Sequence, residues 1–136
     1  SQFEAVVCEG AGSVAEVNLF DRDITNLRFA AQVGAKALLV ADIERGGVFA
    51  SLVGSLELLP PEQRRLVRAF AVNRFRGDRS LFDDGVSFLE DRLNIPCLGV
   101  FPFAPDVAID EAASVSIPEA GAAPLGPVAV IPLPRI

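Results

Sequence analysis

The chain contains no histidine, no tyrosine and no methionine. Without imidazole, these 136 residues carry no Ser-His-Asp triad, no histidine metal site and no histidine acid–base step. Two cysteines, Cys8 and Cys97, are too few for a disulfide framework or a zinc spacing. Both lie in apolar runs, which reads as two small buried side chains, and a reducing cytoplasm suits them. No signal-peptide pattern and no long uncharged apolar stretch occurs, so no membrane partner is expected. The 12 basic residues form no dense run and the net charge is -6, which argues against a nucleic-acid surface. The missing methionine, with a strand-like run almost at the first residue, leads us to expect a fragment.

What is present is a core. The chain is 51% hydrophobic, too apolar to be disordered and long enough for one ordinary domain. Four short apolar runs, Ala5–Cys8, Ala37–Ala41, Ala69–Val72 and Cys97–Phe101, recur at about thirty residues, the length of a βαβ unit. Each is apolar nearly throughout, as parallel strands covered on both faces are. Helical spacing fills the gaps. Ile24, Leu27, Ala30 and Ala31 share a face, as do Val48, Leu52, Leu56 and Leu59, and Phe82, Val86, Leu89 and Leu93. Pro60 and Pro61 end the second helix, and Pro61 begins a short turn over 62–66. The alternation predicts an α/β fold, a doubly wound parallel sheet with helices on both faces. Beyond Phe103 the pattern decays, apart from a short extended piece at Ser114–Ile117. Residues 118–127 are rich in Ala, Gly and Pro and read as a linker. Val128–Ile131 reads as the first strand of a further domain.

Ligands of open parallel sheets bind beyond the carboxyl ends of the strands. Those ends carry Glu9, Asp42, Asn73 and Pro102. Glu9 precedes the glycine-rich turn Gly10-Ala11-Gly12-Ser13 and is suited to Mg²⁺, which takes one or two carboxylates plus water and phosphate oxygens. Each residue also has a plainer reading: Asp42 as a helix cap, Asn73 as a turn former, Glu9 as a solvated loop residue. Gly46-Gly47 open the second helix, whose exposed amides can bind an anion, with Arg45 adding charge; a flexible turn explains them equally well. Arg74, Arg76 and Arg79 surround Gly77-Asp78, where Asp78 reads as a cap and the arginines as phosphate or carboxylate partners or as an exposed basic loop. Asp23 reads as the cap of the first helix, beside Arg22. No phosphate loop of the form G-x-x-x-x-G-K-[ST] exists in the chain. Gly10–Ser13 does not replace it, so an ATP site built from these residues alone is incomplete and tight ATP binding is not expected.

Five segments together point to a family: V-x-E-G-A-G-S-x-A-E-x-N-L from Val7 to Leu19, D-R-D-I-x-N from Asp21 to Asn26, A-D-I-x-R-G-G-V-F from Ala41 to Phe49, N-R-F-R-G-D from Asn73 to Asp78, and P-x-L-G-V-x-P from Pro96 to Pro102. In this order they closely resemble the cobyric acid synthases, glutamine-dependent amide ligases of cobalamin synthesis. The resemblance runs from Phe3 to about Ile117. It implies a phosphate-loop NTPase-like fold related to dethiobiotin synthetase, truncated at its N-terminus. Residues 1–117 would be a partial ATP-dependent synthetase domain, 118–127 a linker and 128–136 the start of a glutamine amidotransferase domain.

In such enzymes ATP activates a substrate carboxylate as an acyl phosphate, and glutamine-derived ammonia displaces phosphate. The substrate is the corrinoid adenosylcobyrinic acid a,c-diamide, amidated at four peripheral carboxylates. The resemblance makes Glu9 a magnesium ligand and Asn73 an adenine reader. Gly10, Ala11, Gly12 and Ser13 would line the space between phosphate and substrate, and Asp42, Arg45, Gly46 and Gly47 match motifs of the site. The partner would be the amidotransferase domain of the same chain, in the cytoplasm, and loss of a central strand leaves homo-oligomer formation as one way to cover the exposed edge. Two other readings stand beside this one. One is a related a,c-diamide synthase or dethiobiotin synthetase-like ligase; the run from Ala15 to Ile24 favours the first family over both. The other is a non-catalytic nucleotide switch or scaffold of the same fold.

Overall fold

The computed structural model describes residues 3–104. Phe3–Cys8 forms no strand or helix. From Glu9 onward the order is a 3-10 helix (Val17–Leu19), α1 (Leu27–Val33), β1 (Ala37–Asp42), α2 (Val48–Leu58), α3 (Pro61–Arg64), β2 (Val67–Phe75), a second 3-10 helix (Arg79–Phe82), α4 (Asp83–Leu93) and β3 (Cys97–Pro102). The sheet is three-stranded and parallel, in the order β1-β2-β3. Sequential parallel strands joined through helices give the α/β architecture that the apolar runs predict.

Three of the four expected strands form, and each is longer than its apolar run. β2 extends through Asn73 and Arg74 to Phe75, because pairing to both neighbours carries the ladder past the apolar stretch. The fourth, Ala5–Cys8, is not a strand: an apolar run becomes one only where a neighbouring strand completes its hydrogen bonds, and these residues pair with no strand among those described. Cys8 is correspondingly exposed, not buried, whereas Cys97 is half-buried in β3.

The core gathers Leu52, Leu56, Phe70, Val72 and Leu89, each almost completely buried. Val48, Leu52 and Leu56 form the inner stripe of α2, and Leu89 and Leu93 that of α4, as their spacing predicts. Along β1 the burial alternates: Leu39 and Ala41 pack toward the core while Leu38 and Val40 stay about half exposed. The first helix is shorter than its spacing suggests. It begins at Leu27, and Ile24 lies outside it and exposed. Among the described residues no helix is long and apolar enough to cross a membrane. The extended piece at Ser114–Ile117, the linker at 118–127 and the strand at Val128–Ile131 lie outside the described residues.

Candidate functional site

Parallel pairing sets Asp42, the last residue of β1, directly beside Asn73 of β2. The Ile43 amide donates to the Asn73 carbonyl at 3.1 Å, so the ladder continues one residue past β1. Two of the expected site residues therefore share one sheet edge, positioned by main chain. Asp42 does not cap α2. Its Oδ1 accepts from the Glu44 amide at 2.8 Å, closing a local turn, while Gly47 stands at the N-cap position. That amide, and after it the Arg74 guanidinium, hold the Asp42 carboxyl below the ordinary aspartate range, with a smaller contribution from Arg45 and partial burial opposing.

Arg74 bridges two carboxylates, Asp42 at 3.2 Å and Glu44 at 2.9 Å, and Arg76 pairs with Glu44 at 2.7 Å. The Arg76 guanidinium also lies over the Phe103 ring, 3.4 Å from its centre. Phe103 is placed by its amide bonding the Phe75 carbonyl at 2.8 Å, which extends the β2–β3 ladder. Glu44 and Phe103 carry no motif chemistry of their own, and sequence reasoning missed both. The only available signal was their place immediately beyond two strand ends. Arg79 is not part of this group; it pairs with Asp83 at the start of α4. Asp78 is a cap, as expected: its carboxylate accepts from both the Ser80 hydroxyl and the Ser80 amide, which lower its pKa.

The Gly10–Ser13 turn is held by a different device. The Asn26 side chain donates to the Ala11 carbonyl at 2.8 Å, and Gly10 lies so close that a β-carbon there would meet Asn26 Oδ1 at 2.1 Å. Asn26 is in turn placed by Asp23, whose Oδ1 accepts from the amides of Thr25 and Asn26. Asp23 thus shapes a turn ahead of α1, and Asn26 occupies the N-cap position in its place. Two local bonds close the chain after it: Ser13 Oγ accepts from the Ala15 amide, and the Glu16 carboxylate accepts from the Ser13 amide, half of a capping box. The S-x-x-E spacing was the signal for this pair; Asn26 had none beyond its place in D-R-D-I-x-N.

Glu9 is exposed and makes no hydrogen bond or ion pair among the described residues, and neither does Arg45 except through its field on Asp42. A hard cation such as Mg²⁺ can take one carboxylate and complete its shell with water and phosphate. A solvated, uncommitted carboxylate fits that share. Asp42, already engaged by Arg74, is less free to do so. Among the described residues no cluster of three or more His, Cys, Asp or Glu side chains could hold a metal ion. Gly46 and Gly47 turn the chain into α2 with φ of 76° and 72°, a left-handed pair suited to glycine. No hydrogen bond or ion pair joins the Glu9–Ser13 segment to Asp42 or Asn73 among the described residues.

A family model described as an AAA domain matches residues 1–110. The chain belongs to that family. Membership agrees with the parallel sheet and helices seen here and points to a P-loop, nucleotide-binding fold. The chain is 56% identical over 102 residues to cobyric acid synthase from Acaryochloris marina, covering 75% of this chain and 20% of that protein. It is 54% identical over 107 residues to cobyric acid synthase from Nostoc sp., covering 79% and 22%. Over 137 aligned positions it is 48% identical to cobyric acid synthase from Gloeothece citriformis, covering 99% and 28%. The resemblance carried by the five motifs is therefore shared with named cobyric acid synthases. The chain spans between a fifth and three-tenths of the length of these curated relatives. No solved structure matches it.

Proposed function

We propose that the chain is part of an ATP- and glutamine-dependent amide ligase that amidates peripheral carboxylates of adenosylcobyrinic acid a,c-diamide. The observation that carries this reading is the run of identities with cobyric acid synthases across most of the chain. The residues fit the chemistry. Amide formation through an activated carboxylate needs placed phosphates, a cation and fixed donors more than a histidine base.

Within this reading Asn73 reads the adenine and Glu9 holds Mg²⁺, which when bound neutralises phosphate charge. ATP supplies the phosphoryl group that activates the carboxylate. Gly10 to Ser13, kept in shape by Asn26, line the space beside it. Arg45 and the Gly46-Gly47 turn offer a cation and main-chain amides to an anionic ligand. Residues 1–117 belong to the synthetase part, 118–127 to a linker and 128–136 to the start of the ammonia-supplying amidotransferase domain, all acting in the cytoplasm.

The test is product formation by the full-length protein given corrinoid, glutamine, ATP and Mg²⁺. Conversion of the a,c-diamide to cobyric acid with phosphate release is expected; conversion only of the less amidated cobyrinic acid would assign it to the a,c-diamide synthases instead. Glu9→Gln is expected to raise the Mg²⁺ concentration needed for half-maximal rate by roughly tenfold or more, as loss of a charged ligand should. An unchanged Mg²⁺ dependence removes Glu9 from the metal shell.

A further inference from the structure

We propose that Arg74 is a positioning residue that fixes the orientation of the Asn73 carboxamide and so sets a preference for adenine over guanine nucleotides. The inference rests on the assignment of Asn73 to the base.

Arg74 has a φ of 62°, one of two non-glycine residues in the left-handed region among those described. A bulky residue is held there only when its surroundings over-determine it. The surroundings here are specific. On one side the Asn73 carbonyl is bound by the Ile43 amide at 3.1 Å. On the other the Arg74 guanidinium is tied to Asp42, the last residue of the neighbouring strand, and to Glu44 just past its end. The peptide joining Asn73 to Arg74 is thus anchored at both ends. Its N–H donates to Asn73 Oδ1 at 2.9 Å.

Stability alone is a weak reason for this arrangement. The Arg74, Asp42 and Glu44 side chains are each a third or more exposed, and such ion pairs contribute little. The consequence for Asn73 is larger. With Oδ1 facing an N–H, a flip of the carboxamide would set its NH₂ against a donor. Asn73 therefore presents its remaining Oδ1 lone pair and its Nδ2 hydrogens in one fixed order. Adenine offers a donor at N6 beside an acceptor at N7, the complement of that order, whereas guanine offers two acceptors, O6 and N7. A carboxamide free to turn could give guanine a donor; the anchored one faces O6 with an acceptor.

The experiment compares KM for ATP and for GTP in the full-length protein, for the natural sequence, Asn73→Ala, Arg74→Ala and Arg74→Gly. Glycine accepts positive φ freely but has no guanidinium. Both Arg74 variants are expected to narrow the ATP-to-GTP preference by about tenfold, the size of one properly oriented hydrogen bond. General damage would raise both KM values together and leave the ratio alone. If either variant fails to fold by circular dichroism, Arg74→Gln replaces it; both carboxylates meet the one nitrogen Nη1, and a neutral amide forms no ion pair with either, so the ratio should still narrow. A preference that Asn73→Ala abolishes but the Arg74 variants keep overturns this inference and leaves Asn73 as the base reader. A preference untouched by Asn73→Ala overturns both.

Discussion

At Gly10 a neighbouring side chain demands glycine; at Gly46 and Gly47 the backbone does. A β-carbon at Gly10 would strike Asn26 Oδ1 at 2.1 Å and crowd the Thr25 carbonyl at 3.3 Å. Gly46 and Gly47 have open space around them and positive φ. The first turn is therefore shaped by contact with a residue far along the chain, Asn26, the second by its own torsions alone. Damage to the first should spread to whatever holds it, while damage to the second should stay local.

Gly10→Ala is the larger expected effect. The methyl must push the Asn26 side chain off the Ala11 carbonyl, which combines overpacking with a lost hydrogen bond, together about 2 kcal/mol. Urea denaturation would measure it. Coupling is the sharper readout: Asn26→Ala removes the obstructing oxygen, so Gly10→Ala should cost much less on that background. Additive losses would show that the two residues do not share this contact.

The two turns also differ in how far the amino-acid sequence reveals them. Gly46-Gly47 is legible because it stands between an apolar strand and the Val48, Leu52, Leu56 stripe, where a chain must reverse. β1, β2, β3, α2 and α4 are legible for the same reason: periodicity records which face is buried. The Asn26 brace is a contact between two loops, and loops carry no period. Nor can periodicity show whether an apolar run finds a partner, which is why Ala5–Cys8 reads as a strand yet is none among the described residues. Asp42 and Asn73 were found by their place at strand ends. The ion pairs that link Arg74 to Asp42 and Glu44 depend on register, which pattern alone does not set.

Gly47→Ala should cost less, about 1 kcal/mol, the usual penalty for a β-carbon in the left-handed region. Because nothing lies within 4 Å of the added atom, no second-site change should relieve it. A loss as large as that of Gly10→Ala, or one rescued by trimming a neighbour, would erase the distinction between the turns.

The smallest effect concerns the edge that the second turn follows. Asp42 has a lowered pKa in the folded chain, owing first to the Glu44 amide and then to Arg74. A depressed carboxyl contributes stability above its unfolded pKa and loses that contribution as pH falls through the folded value. Asp42→Asn should therefore destabilise slightly at pH 7, by about 0.5 kcal/mol or less for so exposed a pair. As pH falls through and below the ordinary aspartate range, the unfolded chain takes up its proton first and the folded carboxyl after it, so the two proteins should converge. Urea midpoints at neutral and acid pH test the sign. A gap that widens on acidification would mean that the Asp42 charge opposes folding, and the Arg74 pairing could not then be what holds this edge together.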